Sequence, residues 1–221
     1  YRQDAAAADE VVRQIQDASG QAMAFQAAID DNGAVTSMVD SIHEHLGPVS
    51  IVVSNAGTAS KGASVAETPI TQFASQLDVH ALGPIALVQA LLPDLRASGR
   101  GDIVMISSNT VATTPAGAAP YTMAKAAMET CMTTLAREER QHGIRANIVA
   151  PGLVATDMGR RLVRASTGGE LDEISLDFPF GRVCTPEDVA GIVTWLVSDG
   201  ASYVTGQKIA VDGGGREVSI F

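Results

Sequence analysis

An α/β fold, a parallel sheet with helices on both faces, is the class this sequence predicts. Aliphatic runs of strand length alternate with longer helix-periodic segments along the whole chain. The best strand candidates are continuously apolar, as strands buried on both faces must be. Gly, Pro and Asp separate the elements at positions where turns and caps need them.

The elements follow in order. Asp4 to Ser19 reads as a helix with Val11, Val12 and Ile15 on one stripe, and Gly20 stops it. Ala22 to Ile29 reads as a short strand. Gly33 to Leu46 is a helix with Val35, Val39, Ile42 and Leu46 inward, ended by Gly47-Pro48. Val49 to Ser54 is a buried parallel strand, and Asn55 to Glu67 a Gly- and Ser-rich loop. Pro69 to about Ala97 is one long helix or a broken pair around Gly83-Pro84. Asp102 to Ser107 is a strand, Ser108 to Pro120 a loop, Tyr121 to His142 a helix before Gly143, and Arg145 to Ala150 a strand. Pro151 to Pro179 is irregular, with a helix around Met158 to Ala165. Thr185-Pro186-Glu187-Asp188 opens the last helix, with Thr as N-cap and Pro at the first position. Lys208 to Val211 is the final strand, and Gly213-Gly214-Gly215 a turn rather than a phosphate loop.

With 221 residues, 46% of them hydrophobic, the chain is read as a single domain, 1–221, with ample core. A formal net charge of −10 argues against nucleic acid and anionic membranes as partners. No run of 18 apolar residues and no signal-peptide pattern occurs, so a cytoplasmic protein is expected. Cys131 and Cys184 lack metal or redox spacing and read as reduced thiols. His43 and His45 fall on different faces of a helix, and His142 precedes a helix-ending Gly, so no metal site is expected.

The chemistry concentrates in Tyr121-Thr122-Met123-Ala124-Lys125. Four residues apart on a helix, phenol and ammonium share a face. A cation this close favours the phenolate and lowers a Tyr pKa from about 10. Ser108, at the end of the preceding strand, offers a hydroxyl for the same substrate oxygen. These groups suit carbonyl reduction or alcohol oxidation.

Ser108, Tyr121 and Lys125 resemble the catalytic Ser and Tyr-x-x-x-Lys of the short-chain dehydrogenase/reductases. Asn55-Ala56-Gly57 after a strand, Pro151-Gly152 with Thr156 four residues past the Gly, and Val211-Asp212-Gly213-Gly214 match further motifs of that family, in order, from about Asp4 to Gly214. The bacterial 3-oxoacyl-acyl-carrier-protein reductases are the branch most similar in character. The resemblance implies a Rossmann-like doubly wound sheet and hydride transfer between NAD(P) and a carbonyl or secondary alcohol. It implies that Asn55, Ala56, Gly57, Tyr121, Lys125, Pro151, Gly152, Val154 and Thr156 hold the cofactor, and that subunits pair as homotetramers or homodimers. It places Tyr1-Arg2 at the end of the family's second strand, so the first strand–helix unit, its Gly-rich turn and most of the second strand are expected upstream of the sequence. Without them a slot should open between Ala22–Ile29 and Val49–Ser54. Arg2 falls where the family meets a 2′-phosphate, which favours NADP(H) over NAD(H). Two further positions depart from the pattern. Ala28 stands where an adenine-binding Asp is usual. His80 stands where a catalytic Asn is usual, and is either a core histidine or a stand-in in the proton relay. The implied activity is 3-oxoacyl reduction. The alternatives are an alcohol, sugar or steroid dehydrogenase and a non-catalytic partner subunit. Met158 to Phe180, with Leu162, Val163, Leu171, Ile174, Leu176, Phe178 and Phe180, is the expected apolar lid.

Overall fold

The computed structural model describes residues 1–60 and 62–215. Its centre is a four-stranded, all-parallel sheet in the order β1 (Ile51–Ser54), β2 (Gly101–Ile106), β3 (Ile144–Pro151), β4 (Lys208–Val211). The register runs from Ile51 opposite Asp102, through Asp102 opposite Arg145, to Ile148 opposite Lys208.

Side-chain alternation along the strands feeds two separate cores. On one face, Val52, Ile103, Met105, Ile144, Ala146 and Ile148 pack under α2 (Asn32–Leu46), α4 (Gly83–Ala97) and α6 (Ala119–Glu139). On the other, Val104 and Val149 meet Leu196, Val189, Ile192 and Val193 of α9 (Pro186–Leu196). The predicted capping box of α9 is present: Thr185 Oγ1 accepts from the Asp188 amide, and the Asp188 carboxylate accepts from the Thr185 amide. A third small core, Val163, Leu171 and Val183 with Ile174 and Phe178, holds α7 (Asp157–Thr167) and α8 (Leu171–Ile174).

Three expectations change. Residues 22–28, expected as a strand, have no regular secondary structure and join no strand ladder. They lie beside the start of the chain, where Tyr1 donates to the Phe25 carbonyl and accepts from the Ala27 amide. Among the described residues β1 is the outermost strand on that side, and no segment of them fills the expected slot. Ile51 and Val53, expected to be buried, are each 45% exposed; α9 packs over β2–β4. The segment from Pro69 is a broken pair: α3 (Ile70–Leu77) and α4 are joined by one π-helical turn, Asp78–Leu82, that carries His80. The bend brings the Ile29 carbonyl so close to Gly83 that a Cβ there would lie 2.1 Å from it, so only Gly fits. α1 (Ala5–Asp17) forms as expected, with Asp4 as its N-cap.

At the opposite end of the sheet from the loops discussed below, Arg145 on β3 pairs with Asp102 on β2 at 2.6 Å. Both residues are buried. Burial pushes the Asp102 carboxyl upward, although the Arg145 and Arg100 guanidiniums oppose it. Asp102→Ala leaves the Arg145 guanidinium buried without its partner, a change expected to cost about 3–5 kcal/mol. Urea unfolding followed by circular dichroism checks this. A loss under about 1 kcal/mol would show that water already compensates the pair.

Candidate active site

The carboxyl ends of the four strands converge on one side of the sheet, where parallel α/β folds place their ligands. α6 contributes two residues one helical turn apart, Tyr121 and Lys125. β2 ends against them. Lys125 Nζ donates to the Ile106 carbonyl at 2.6 Å, and the Ser108 hydroxyl is hydrogen-bonded to the Tyr121 phenol. Ser108 Oγ also accepts from the Thr110 amide at 3.2 Å and from its hydroxyl at 3.0 Å. The short helix α5 (Thr110–Thr113) thus fixes the serine rotamer.

Burial governs the protonation states. It pushes the Tyr121 phenol above its ordinary value, against the hydrogen bond from Ser108. The expectation that Lys125 holds this phenol low is therefore not met: the ammonium is turned to the Ile106 carbonyl, 5.8 Å from the centre of the Tyr121 ring. Desolvation brings Lys125 itself down to about 8, against the opposing charge of Glu129.

His80 belongs to the same cluster. It is 2% exposed, and its ring meets the Tyr121 ring edge-on, with centroids 4.9 Å apart and planes at 81°. His80 Nε2 lies 2.9 Å from the Thr58 carbonyl and 3.3 Å from the Thr58 amide. The shorter contact makes Nε2 the protonated nitrogen, which leaves Nδ1 as a buried acceptor without a partner. Burial, then the nearby Lys125 charge, lowers the His80 pKa to about 4, so the ring is neutral at physiological pH. Gln76 Nε2 adds a bond to the Thr58 hydroxyl at 3.1 Å. Gly57 is needed here, since a Cβ would lie 2.8 Å from His80 Cε1.

The other expected residues frame this cluster. Asn55, Ala56 and Gly57 form an exposed loop at the end of β1. Pro151 and Gly152 end β3, where the Asn109 amide donates to the Pro151 carbonyl and the Gly152 amide to the Val211 carbonyl. A Cβ on Gly152 would come 3.0 Å from Asp212 Cβ, so the two strand ends touch. Val154 bridges to Cys184, and Thr156 caps α7 by accepting from the Gly159 amide at 3.2 Å. These open strand ends fit the nicotinamide half of a dinucleotide, and the unpartnered Nδ1 of His80 adds a buried polar atom beside Tyr121. The described residues include no Gly-rich turn for a pyrophosphate. Arg2 is not brought to the cluster: it lies at the chain start, where Gln26 Nε2 donates to its carbonyl.

Two features escaped the sequence reading. The Gln76–Thr58–His80 clamp could not be seen, because it depends on the π-helical turn. Glu129 could have been found, being one turn beyond Lys125 on the same helical face. Its carboxylate accepts from Ser107 Oγ at 2.5 Å and from Lys208 Nζ at 2.8 Å. Among the described residues no three His, Cys, Asp or Glu side chains cluster as metal ligands, and no helix is long and apolar enough to cross a membrane. Cys131 and Cys184 are free thiols, and His43 pairs with Asp94 at 2.7 Å.

A family model described as enoyl-(acyl carrier protein) reductase matches residues 1–215. The 3-oxoacyl-[acyl-carrier-protein] reductase MabA of Mycobacterium tuberculosis is 33% identical over 186 residues, 84% of this chain and 73% of that protein. Inactive 2-(S)-hydroxypropyl-CoM dehydrogenase 2 of Xanthobacter autotrophicus is 36% identical over 190 residues, 85% of this chain and 82% of that protein. A solved 7α-hydroxysteroid dehydrogenase, in complex with NADH and 7-oxo glycochenodeoxycholic acid, superposes with a TM-score of 0.87 at 29% identity, over 97% of this chain and 83% of that one. The chain belongs to the short-chain dehydrogenase/reductases, a family of NAD(P)-dependent oxidoreductases.

Proposed function

We propose that the chain is an NADP(H)-dependent cytoplasmic reductase of ketones on apolar carriers, with a 3-oxoacyl thioester as the best substrate class. One observation supports the role of proton donor. The Tyr121 phenol is raised by burial and bonded to Ser108, so it is a protonated acid at neutral pH. Reduction of a carbonyl consumes such a proton. The apolar substrate class rests on the lid, where Met158, Leu162, Leu176 and Phe180 remain exposed while Val163 and Leu171 form its core.

The residues divide the work as follows. The bound nicotinamide supplies the hydride. The Ser108 hydroxyl, its rotamer held by Thr110, orients the carbonyl oxygen. Tyr121 gives that oxygen its phenol proton. The buried ammonium of Lys125 then stabilises the phenolate and holds the nicotinamide ribose. Backbone at Asn55, Ala56 and Gly57 lines the cofactor, Pro151 and Gly152 shape the strand-end wall, and Val154 and Thr156 hold the carboxamide. Arg2, which lies at the chain start away from this cluster, would be the guanidinium to meet a 2′-phosphate. His80 stays neutral and holds Thr58 while its ring supports that of Tyr121, a positioning role in place of an acid–base one. A two-fold assembly, tetramer or dimer, is built on the outer face of α6. There Ala127, Thr130 and Thr134 are exposed, and both threonine hydroxyls are spent on their own helix, at 3.1 Å from the Ala126 and Thr130 carbonyls. That leaves small, satisfied side chains for close helix contact.

The deciding experiment offers a 3-oxoacyl thioester, a 7-oxo steroid and a small aldehyde with NADPH or NADH, and follows loss of the reduced cofactor. The thioester with NADPH should be turned over fastest. Tyr121→Phe should keep the fold and lose ~10²–10⁴ in kcat. Near-native turnover by Tyr121→Phe would sink the assignment, and NADPH binding with no turnover at all would favour the partner-subunit reading. Calorimetric titration tests the cofactor choice. Arg2→Gln should weaken NADPH by about 10- to 100-fold, the loss of one charge-assisted contact, and leave NADH unchanged.

Activity should also follow a defined pH profile. Lys125 titrates near 8, so its ammonium is present below that pH and is lost as the pH rises through it. Activity that needs this charge falls on the alkaline side, with a midpoint near 8. His80 adds no limb between pH 5 and 9, since its pKa is about 4. Lys125→Met should abolish the alkaline limb, and a limb that survives would assign it to another group.

A further inference from the structure

The face of α6 grips the end of β2 at three successive residues. Tyr121 bonds Ser108, Lys125 bonds the Ile106 carbonyl, and Glu129 bonds the Ser107 hydroxyl. Each helix residue stands one turn from the next. Glu129 is the member to which the mechanism above gives no part.

We infer that Glu129 is a positioning residue for this site. It fixes Ser107, the neighbour of Ser108, against α6, and it places a negative charge one helical turn from the buried Lys125 ammonium. The kinetic side of the inference rests on the reductase reading.

The charges around Lys125 can be followed element by element. From α6 it faces Tyr121, an uncharged phenol, and Glu129. From the π-helical turn it faces His80, whose ring is neutral. From β2 it meets only the Ile106 carbonyl. Glu129 is thus the single anion that offsets desolvation of the ammonium. A second cation, Lys208 of β4, competes for it at 2.8 Å. The competition is unequal. The Lys208 side chain keeps 35% of its surface in water, which screens it, whereas Lys125 is buried. The carboxylate bonds Lys208 directly and acts on Lys125 through space.

Glu129→Gln separates charge from shape, because the amide oxygen can still accept from Ser107. The chain has three lysines, Lys61, Lys125 and Lys208, so labelling lysine ε-carbons with ¹³C gives three NMR titrations, with the Lys125 signal identified by its loss in Lys125→Met. In Glu129→Gln the Lys125 midpoint should fall by about 0.5 pH or more. Glu129→Asp should restore most of the shift, and Lys208→Met should move the midpoint upward. The alkaline limb of kcat/KM should follow the Lys125 midpoint in each variant. An unmoved Lys125 titration in Glu129→Gln overturns the inference, as does a midpoint that moves while the kinetic limb stays. The NMR titration needs no turnover. A chain that titrates as stated but reduces no carbonyl would overturn the reductase reading and leave the charge effect standing.

Discussion

The contact between the end of β2 and one face of α6 is the constraint on which the rest of this molecule depends. A buried ammonium donates to a strand-end carbonyl, Lys125 to Ile106. That bond fixes how far the helix can slide along the strand. Ser108 then falls opposite Tyr121, and Ser107 opposite Glu129. A helix register shift of one residue would turn the three side chains off this face, since residues at i and i+4 share a face but i and i+1 do not. The fold defends the register from the far end as well. Arg96 of α4 grips Glu139 in the last turn of α6 through two hydrogen bonds, at 2.8 and 2.6 Å. A buried carboxylate held by a bidentate guanidinium anchors the helix about as firmly as a polar contact can.

Desolvation outweighs direct charge–charge effects at the site. The Tyr121 phenol is raised, Lys125 is lowered, and His80 is lowered, each with burial as the leading cause. All three shifts favour the neutral form, as a low-dielectric pocket requires. The pocket is thus poised as neutral acid, weakly held cation and neutral imidazole.

Much of this was legible in the sequence. Strand–helix alternation gave the parallel sheet, since aliphatic runs such as Val49–Val53 and Ile103–Ile106 have no helical period. Tyr121 and Lys125, four apart, announced a shared helical face, and the Thr185-Pro186 start of α9 was written in its cap residues. The misses have physical causes. Residues 22–29 have strand-like residues, but a strand exists only with a partner for its backbone, and composition does not show the partner. The sense of the Tyr121 shift depended on which way the Lys125 side chain turned and on how much apolar surface lay around the phenol. Neither is encoded in a four-residue spacing. The π-helical turn before Gly83 was visible only as a Gly-Pro interruption, and that interruption is compatible with a kink, a break or a continuous helix.

His80 shows how a departure from a family pattern can still be consistent with its surroundings. An imidazole is larger than the amide of Asn, and room for it comes from Gly57, where any Cβ would collide with the ring. The ring needs a donor bond to be buried at reasonable cost, and the Thr58 carbonyl accepts it. Thr58 is in turn held at its hydroxyl by Gln76, one helical turn before His80. The loop that opens with Asn55-Ala56-Gly57 is therefore tied to the same π-helical turn that backs the Tyr121 ring. A protonated imidazole would break this arrangement, because it would set a second buried cation near Lys125. The tautomer, the glycine and the threonine form one unit. Asn at position 80 alone would therefore remove the ring contact to Tyr121 and leave space beside Gly57.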